Sequence, residues 1–412
     1  MLGLPPQYWK GIMTAPPVAG RPAPPRLPPA SPAAIDVLTR LLTSGPIPRV
    51  EIARQTGLSQ AAVTKAVAPL IGAGFVTLDG TRDRPDAPGR PATPLRVVAD
   101  AVVVIGVKVT ADEVIGVATD FRASILETEH RSLPRHTPGQ VARTVQAVTS
   151  ALADRLGSAA ERLVGVGVSV SGDVDTAHGV VRDSPKLGWR DVPLGAQLAQ
   201  RLGRPVRVDN DVRALTVSEQ WFGVGASDVD SFVIVTIGSG IGCGLYLNGD
   251  VVSGSFGVAG EIGHLPLADQ GLTCECGRID CVETVASSAA IVRAVRAGTS
   301  RPDLDMAATV ELAHAGRPEA LAAFDRAATA IGRAIAVVAN LTGPEVVVIE
   351  GEAVADFDVY DATLRKTFAA QAFGAAAECR LELRPHTFDA WARGAAASVI
   401  RSFVRREGAP RR

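Results

Sequence analysis

Apolar residues between positions 33 and 75 recur every three to four residues in three short bursts. In AAIDVLTRLLTSG, Ile35, Leu38, Leu41 and Leu42 share one helical face, and Gly45 ends the run. RVEIARQTG predicts a second helix, with Ile52 and Ala53 inward and a turn at Gly57. SQAAVTKAVAPLIG predicts a third, capped by Ser59, with Val63, Val67, Leu70 and Ile71 on one side. FVTLDG and PATPLRVV then flank TRDRPDAPGRP as the strands of a hairpin flank its tip. Three short helices followed by a two-stranded wing are the elements of a winged helix-turn-helix, here over 33–96.

From about residue 97 the pattern alternates between strand and helix. VVVIGVKV and VIGVATDF read as adjacent strands, and VARTVQAVTSALADRL as a helix. LVGVGVSVSG and PVRVDND are further strands, and VRALTVSEQWFG is a helix. SFVIVTIGSGIGCGLYL is a strand, a glycine loop and a strand. EALAAFDRAATAIGRAIAVVANLTGP is a long helix before the strand EVVVIEG. Such alternation predicts an α/β body of two lobes. The expected bounds are 97–218, completed by a C-terminal helix at 390–408, and 219–389. Two similar halves are compatible with this pattern. Residues 1–32 hold ten prolines and no acidic residue, and are expected to form a disordered tail.

Composition adds a compartment and a partner. The chain has 412 residues, 47% of them hydrophobic, enough for more than one core. No apolar run approaches the ~20 residues that span a bilayer, and no compact apolar leader stands out, so the expected place is the cytoplasm, with no membrane partner. The net charge of −1 hides an asymmetry. Residues 1–96 carry 11 Lys and Arg against 5 Asp and Glu, whereas the rest carry 31 against 38. A basic front on an acidic body points to nucleic acid. In a winged helix-turn-helix the third helix enters the major groove, which selects Ser59, Gln60, Ala61, Thr64 and Lys65. Gln60 can pair with adenine, and Lys65 with guanine or a phosphate. Arg90 sits where a wing reaches a minor groove. A protein-interaction domain with a solvated polar face would show the same three helices.

The chain holds five cysteines, three of them within GEIGHLPLADQGLTCECGRIDCVE. His264, Cys274, Cys276 and Cys281 give H-x9-C-x-C-x4-C. In a reducing compartment, four such ligands suit a tetrahedral zinc whose closed shell makes it structural. Cys243 and Cys379 stand alone and read as small buried hydrophobes. TIGSGIGCGLYLNGD places glycines at 238, 240, 242 and 244 after a strand, as a phosphate cradle or a tight hairpin would. Asn210 and Asp211 end a strand just before a helix. With Glu261 and Glu283 they would form an acidic pocket able to accept bonds from several hydroxyls, as sugar recognition requires. Capping and turn formation would use the same residue types. Asp211 could also take a proton from an attacking hydroxyl.

Together these segments resemble the ROK family of repressors, open reading frames and sugar kinases. The resemblance covers about 33–405 and is strongest in GVAGEIGHLPLADQGLTCECGRIDCVETVAS. SPKLGWRDVPL, VDNDVRALTVSEQWFG, TIGSGIGCGLYLNG and RGAAASVI share it. It implies an actin-like, ribonuclease H-like fold of two α/β lobes holding a sugar. It marks His264, Cys274, Cys276 and Cys281 as zinc ligands. It also marks Gly172, Asn210, Asp211, Glu261, His264 and Glu283 as sugar contacts, with one His264 nitrogen on the metal and the other on a hydroxyl. In the family's kinases the residue at Asp211 is the general base.

Two departures set the chain apart from those kinases. They open the body with an Asp-x-Gly-Gly-Thr phosphate loop, where this chain reads IGVKVTADE, with Lys108 in place of the aspartate. A later Gly-Gly pair reads IEGEAV, placing Glu350 and Glu352 beside any phosphate. A third departure is Asp280, where the zinc segment usually has glycine. The expected protein is therefore a sugar-responsive DNA-binding repressor without catalytic residues. It would act as a homodimer or tetramer on operator DNA, with two recognition helices about one helical turn (~34 Å) apart. An ATP-dependent sugar kinase with an attached helix-turn-helix is the alternative.

Overall fold

The computed structural model describes residues 24–29, 31–79, 93–226, 229–384 and 387–407. The chain divides into two compact units, Met1–Ser227 with Asp389–Arg412, and Asp228–Phe388.

The first unit opens with three helices, α1 Pro32–Ser44, α2 Arg49–Thr56 and α3 Gln60–Gly72. Ser31 and Ser59 cap the first and third through side-chain oxygens, and Gly57 ends the second in the left-handed region. A hairpin of β1 Val76–Leu78 and β2 Leu95–Val97 follows, with Ile47 bridged to Leu95. The expected wing tip, with Arg90, lies outside the described residues, as does most of the expected 1–32 tail. Two inward faces differ by one position from the sequence pattern. In α1, Val37 is buried and Ile35 only half-buried; in α3, Ala66 is buried and Ile71 is exposed. The faces turn because both helices pack on the hairpin and on the body behind it.

That body is a five-stranded sheet in the order β10-β6-β3-β4-β5. Its strands are β3 Val103–Val109, β4 Glu113–Thr119, β5 Ile125–Ser132, β6 Leu163–Val170 and β10 Val206–Asn210. Helix α4 Pro138–Leu156 links β5 to β6. A small sheet of β7 Asp173–Asp175, β8 Val180–Ser184 and β9 Trp189–Val192 precedes α5 Leu194–Leu202. Helix α6 Asp211–Phe222 follows β10 and belongs wholly to this unit, so the division falls at Ser227 rather than at the expected 218. Strand β3 alternates between two environments, as the period of a strand dictates. Val103, Ile105, Val107 and Val109 join α4 in one cluster, while Val104 joins another. This second cluster is continuous. It combines Val37, Leu41, Ile52, Val67 and Leu95 of the N-terminal elements with Phe121 and Trp221 of the body. It also takes in Ala396, Val399, Ile400 and Val404 of the last helix, so the N-terminal helices have no core of their own.

The second unit carries β11 Phe232–Ile237, β12 Ile241–Leu247, β13 Asp250–Val251, β14 Val346–Glu350 and β15 Arg380–Leu383, ordered β13-β12-β11-β14-β15. Its helices are α7 Glu283–Ala286, α8 Ser288–Thr299, α9 Met306–His314, α10 Pro318–Thr342 and α11 Asp358–Gln371. The two five-stranded sheets share one plan. Each first strand pairs antiparallel with the next and parallel with a later one, and a further strand extends each side in the same sense. The similar halves are thus real in topology, as the actin-like fold requires. The last helix, α12 Phe388–Arg405, returns to the first unit. Among the described residues no helix is long and apolar enough to cross a membrane.

Candidate functional site

The sugar-contact candidates of the first unit meet at the end of β10. Asn210 caps α6 by accepting from the Arg213 N–H (3.0 Å), and its Nδ2 donates to the Gly172 carbonyl (3.0 Å). Gly172 has a φ of 115°, and a Cβ there would overlap the Asp183 carbonyl oxygen, so the turn demands glycine. The buried Asp209 accepts from the Thr176 hydroxyl (2.9 Å) and from Arg213 Nε (2.5 Å), which fixes the strand-to-helix junction. Asp211, the first residue of α6, is 8% exposed. Its Oδ1 accepts from the Val212 N–H (2.9 Å), and its Oδ2 is bonded to the Lys108 ammonium. Burial alone would push Asp211 upward. The Lys108 charge outweighs this, Lys186 and the Val212 N–H add to it, and the carboxyl stays below its ordinary range. Such a carboxylate accepts a hydrogen bond well but is a weak base, since it is already paired with a cation.

The turn after Lys108 is closed as well. The Thr110 hydroxyl accepts from the N–H groups of Asp112 (3.2 Å) and Glu113 (3.0 Å) and donates to the Glu113 carbonyl. Backbone donors that would face a phosphate are spent inside this turn. In the second unit, residues 238–240 form the tight turn between β11 and β12. There the Ser239 N–H donates to Glu352 Oε1 (2.6 Å), so a carboxylate of the chain meets the glycine turn where an anion would.

The second unit also gathers the remaining candidates. Glu261 precedes the single 3-10 turn Ile262–His264, and Glu283 opens α7. His264 Nδ1 lies 3.7 Å from Cys274 Sγ, and its Nε2 lies 4.0 Å from Glu261 Oε2. The imidazole therefore faces the thiols with one nitrogen and a sugar-contact candidate with the other. Glu283 Oε1 accepts from the Ile241 N–H (2.8 Å), which anchors it beside Gly263.

One ligand atom each from His264, Cys274, Cys276 and Cys281 lies within 4.8 Å of the others, and Cys276 and Cys281 are 3.7 Å apart at sulfur. Ligands about 2.3 Å from a tetrahedral ion stand about 3.8 Å from one another, so the set fits zinc. Burial pushes the Cys281 thiol up to about 12 and raises Cys274 too. Burial also opposes the Cys276 thiolate, but the Arg278 N–H and the adjacent thiols bring it below its ordinary value. Asp280 takes the left-handed conformation itself, with φ 61°, where a glycine was expected. Its Oδ1 accepts from the N–H groups of Gln270 (2.8 Å) and Leu272 (3.2 Å), which braces the loop around the ligands. Cys243 is buried as expected, with its thiol pushed up to about 12, but Cys379 is only half-buried because it precedes the exposed edge strand β15.

On α3, Ser59, Gln60, Ala61, Thr64 and Lys65 are all exposed on one surface. The Ser59 hydroxyl accepts from the Ala62 N–H (3.2 Å), and Thr64 donates to the Gln60 carbonyl (2.9 Å). Three further residues were not singled out as contacts by sequence. Trp391 presents its ring 5.2 Å from Lys108 Nζ, Thr110 closes the β3–β4 turn, and Asp280 staples the loop that carries the cysteines. For Lys108 the sequence signal was a lysine within an otherwise apolar strand.

Residues 104–402 match the ROK family. The chain is 28% identical over 316 residues to the DNA-binding transcriptional dual regulator NagC of Escherichia coli K12, covering 75% of this chain and 77% of that one. It is 36% identical over 200 residues to a glucokinase of Thermotoga maritima, covering 45% of this chain and 63% of the enzyme. Among solved structures, a ROK family transcriptional regulator, a homologue of the E. coli MLC protein, superposes with a TM-score of 0.76 at 25% identity. That superposition covers 90% of this chain and 95% of the other. By the extent of that match and by its two sheets of common plan, the chain belongs to the ROK family.

Proposed function

We propose that this chain is a sugar-responsive transcription regulator, a repressor that leaves its operator when a sugar binds. The observation that carries this reading is the single core joining three helices and a hairpin to a ROK body. A head so built is part of the receptor rather than a tethered addition. The relatives support it: the superposition on the ROK regulator covers 90% of this chain, which takes it beyond the family segment into the head. Helix α3 enters the major groove, with Gln60 on adenine, Lys65 on guanine or phosphate, and Ala61 and Thr64 alongside. Arg90 reaches a minor groove. The protein acts in the cytoplasm as a homodimer or tetramer, which sets two such helices about one turn of DNA apart.

In the same reading, Gly172, Asn210, Asp211, Glu261, His264 and Glu283 contact the sugar. Zinc held by His264, Cys274, Cys276 and Cys281 is structural and orients the histidine toward its second partner. The chain is not an enzyme in this account. A sugar kinase reading draws on Asp211 at the family's base position and on the glucokinase identity. The Lys108 pair and the two self-satisfied turns weigh against it. The test is charge reversal on the head. Lys65→Glu should abolish binding to DNA from the protein's own promoter, while sugar binding stays intact. Unchanged DNA binding would turn the head into a protein-interaction module.

A further inference from the structure

We propose that Lys108 couples sugar binding to the DNA-binding head, as the node that holds the sugar-contact carboxylate together with the two helices that reach the head. The proposal rests on the function given above.

Among the described residues Lys108 is the only Lys or Arg that is buried, at 7% exposure. A buried ammonium is costly unless it is paired, so its surroundings are specific. It lies on the face of β3 opposite the cluster that packs on α4. There its charge bonds Asp211, the first residue of α6, and lies 5.2 Å from the ring centroid of Trp391, near the start of α12. One side chain therefore joins a strand and two helices.

These contacts leave little slack. A Cβ on Gly106, two residues before Lys108, would overlap the Ala392 carbonyl oxygen, so β3 and α12 touch backbone to backbone. Helices α6 and α12 are tied again further on, where the Arg393 guanidinium stands 5.9 Å from the Phe222 ring. Both then run into the cluster that carries the head. Trp221 enters it from α6, and Ala396, Val399, Ile400 and Val404 enter it from α12. A displacement at Asp211 is thus delivered to the head by two helices moving as a pair. A sugar hydroxyl donating to Asp211 takes a share of the carboxylate that Lys108 now holds, and the ammonium is already braced on Trp391. A packed core of this kind changes between discrete arrangements rather than deforming smoothly, which suits a switch.

The experiment compares the full-length chain with Lys108→Met, Lys108→Arg and Trp391→Leu. Operator affinity is read by fluorescence anisotropy, with and without D-glucose, D-xylose or N-acetyl-D-glucosamine. Sugar affinity is read separately by calorimetry. The quantity of interest is the ratio of operator Kd with saturating sugar to that without, which for allosteric coupling is typically about 5 to 150. Trp391→Leu spares the Lys108–Asp211 pair, so its sugar affinity should stay within about threefold of the parent while the ratio falls to about 1. Lys108→Met should lose the coupling and also bind sugar at least roughly tenfold more weakly, whereas Lys108→Arg keeps the cation and restores most of the ratio. A parental ratio in Trp391→Leu, or in Lys108→Met with sugar bound, overturns the proposal. Should Lys108→Met fail to fold, Trp391→Leu decides alone. If the parent chain itself shows no sugar effect on DNA, the functional reading fails and the coupling with it. That outcome is distinct from a responsive parent with equally responsive variants.

Discussion

Leu41→Ala tests whether the head and the body are one folding unit. Leu41 is fully buried in the cluster shared by the N-terminal helices, Trp221 and α12. Removing three carbons from such a site costs about 3–5 kcal/mol, because transfer free energy is lost and a cavity remains. For a unit of this size each kcal/mol lowers the melting midpoint by roughly 2–4 °C, so the midpoint should fall by roughly 6–20 °C. Tryptophan fluorescence is a selective probe. Among the described residues the tryptophans are Trp189, Trp221 and Trp391, all in the first unit and none in the second. A shared core predicts that the entire fluorescence transition moves down in one step, although Leu41 lies far in sequence from Trp189 and Trp391. The refuting result is an unchanged fluorescence midpoint with faster tryptic cleavage at Arg49 or Arg54. That pattern would mean a head that melts by itself.

Other consequences follow from the site. Cys281→Ala removes a fully buried thiol of the proposed zinc set, so metal analysis of the purified chain should fall from one zinc toward none, and sugar affinity should drop at least roughly tenfold. Full zinc content in this variant would break the assignment. Asp280→Ala loses the side-chain acceptor for two backbone N–H groups while keeping the left-handed backbone requirement. It should cost about 1–3 kcal/mol, and Asp280→Gly less, as read by chemical denaturation of the metal-bound chain. His130 bridges Glu113 (3.3 Å) and Asp389 (2.9 Å). Burial works against its charge, but these carboxylates, Asp389 first, raise it above 6.5. A raised value means that the stabilisation is complete below about 6.5 and fades as pH climbs through the folded value. The melting difference between the parent and His130→Asn should therefore be largest below about pH 6.5 and shrink as pH rises through the folded value. A difference that grows with pH would contradict the sign.

Much of this was legible in sequence, for reasons that differ between residues. Period-3.6 and period-2 runs located the three N-terminal helices, helices α4, α6, α10 and α12 and the central strands of both five-stranded sheets, because core faces recur with the geometry of the element. The outer strands β5, β13 and β15, the small sheet of β7, β8 and β9, and helices α5, α8, α9 and α11 were not read from the pattern. The histidine–cysteine cluster was legible because cysteine is scarce here and three of the five fall within eight residues. Ile35 and Ile71 show the limit of such patterns. A position at the edge of an apolar stripe is assigned by the neighbours it packs on, and those neighbours belong to a distant hairpin and body. Lys108 was visible as a departure from a phosphate loop, but its partner lies 103 residues away, across parallel strands that no local pattern encodes. The closure of the 110–113 turn by one threonine, and the use of Glu352 to satisfy the Ser239 N–H, are likewise tertiary facts. Asp280 was read as a departure from the usual glycine. Its carboxylate compensates for the backbone conformation it has to adopt, and only coordinates could reveal that.

The central claim is that a sugar, and not a phosphoryl transfer, is the signal this chain transmits to DNA. The most direct measurement is fluorescence anisotropy of DNA from the protein's own promoter, titrated with the full-length chain at fixed salt. The titration is repeated with a panel of monosaccharides, and with ATP and magnesium, while ADP production is followed in the same samples. The account predicts specific binding that one sugar weakens by about 5- to 150-fold, with no ADP formed. Sugar-dependent ADP production, with DNA binding absent or indifferent to every sugar, would contradict it.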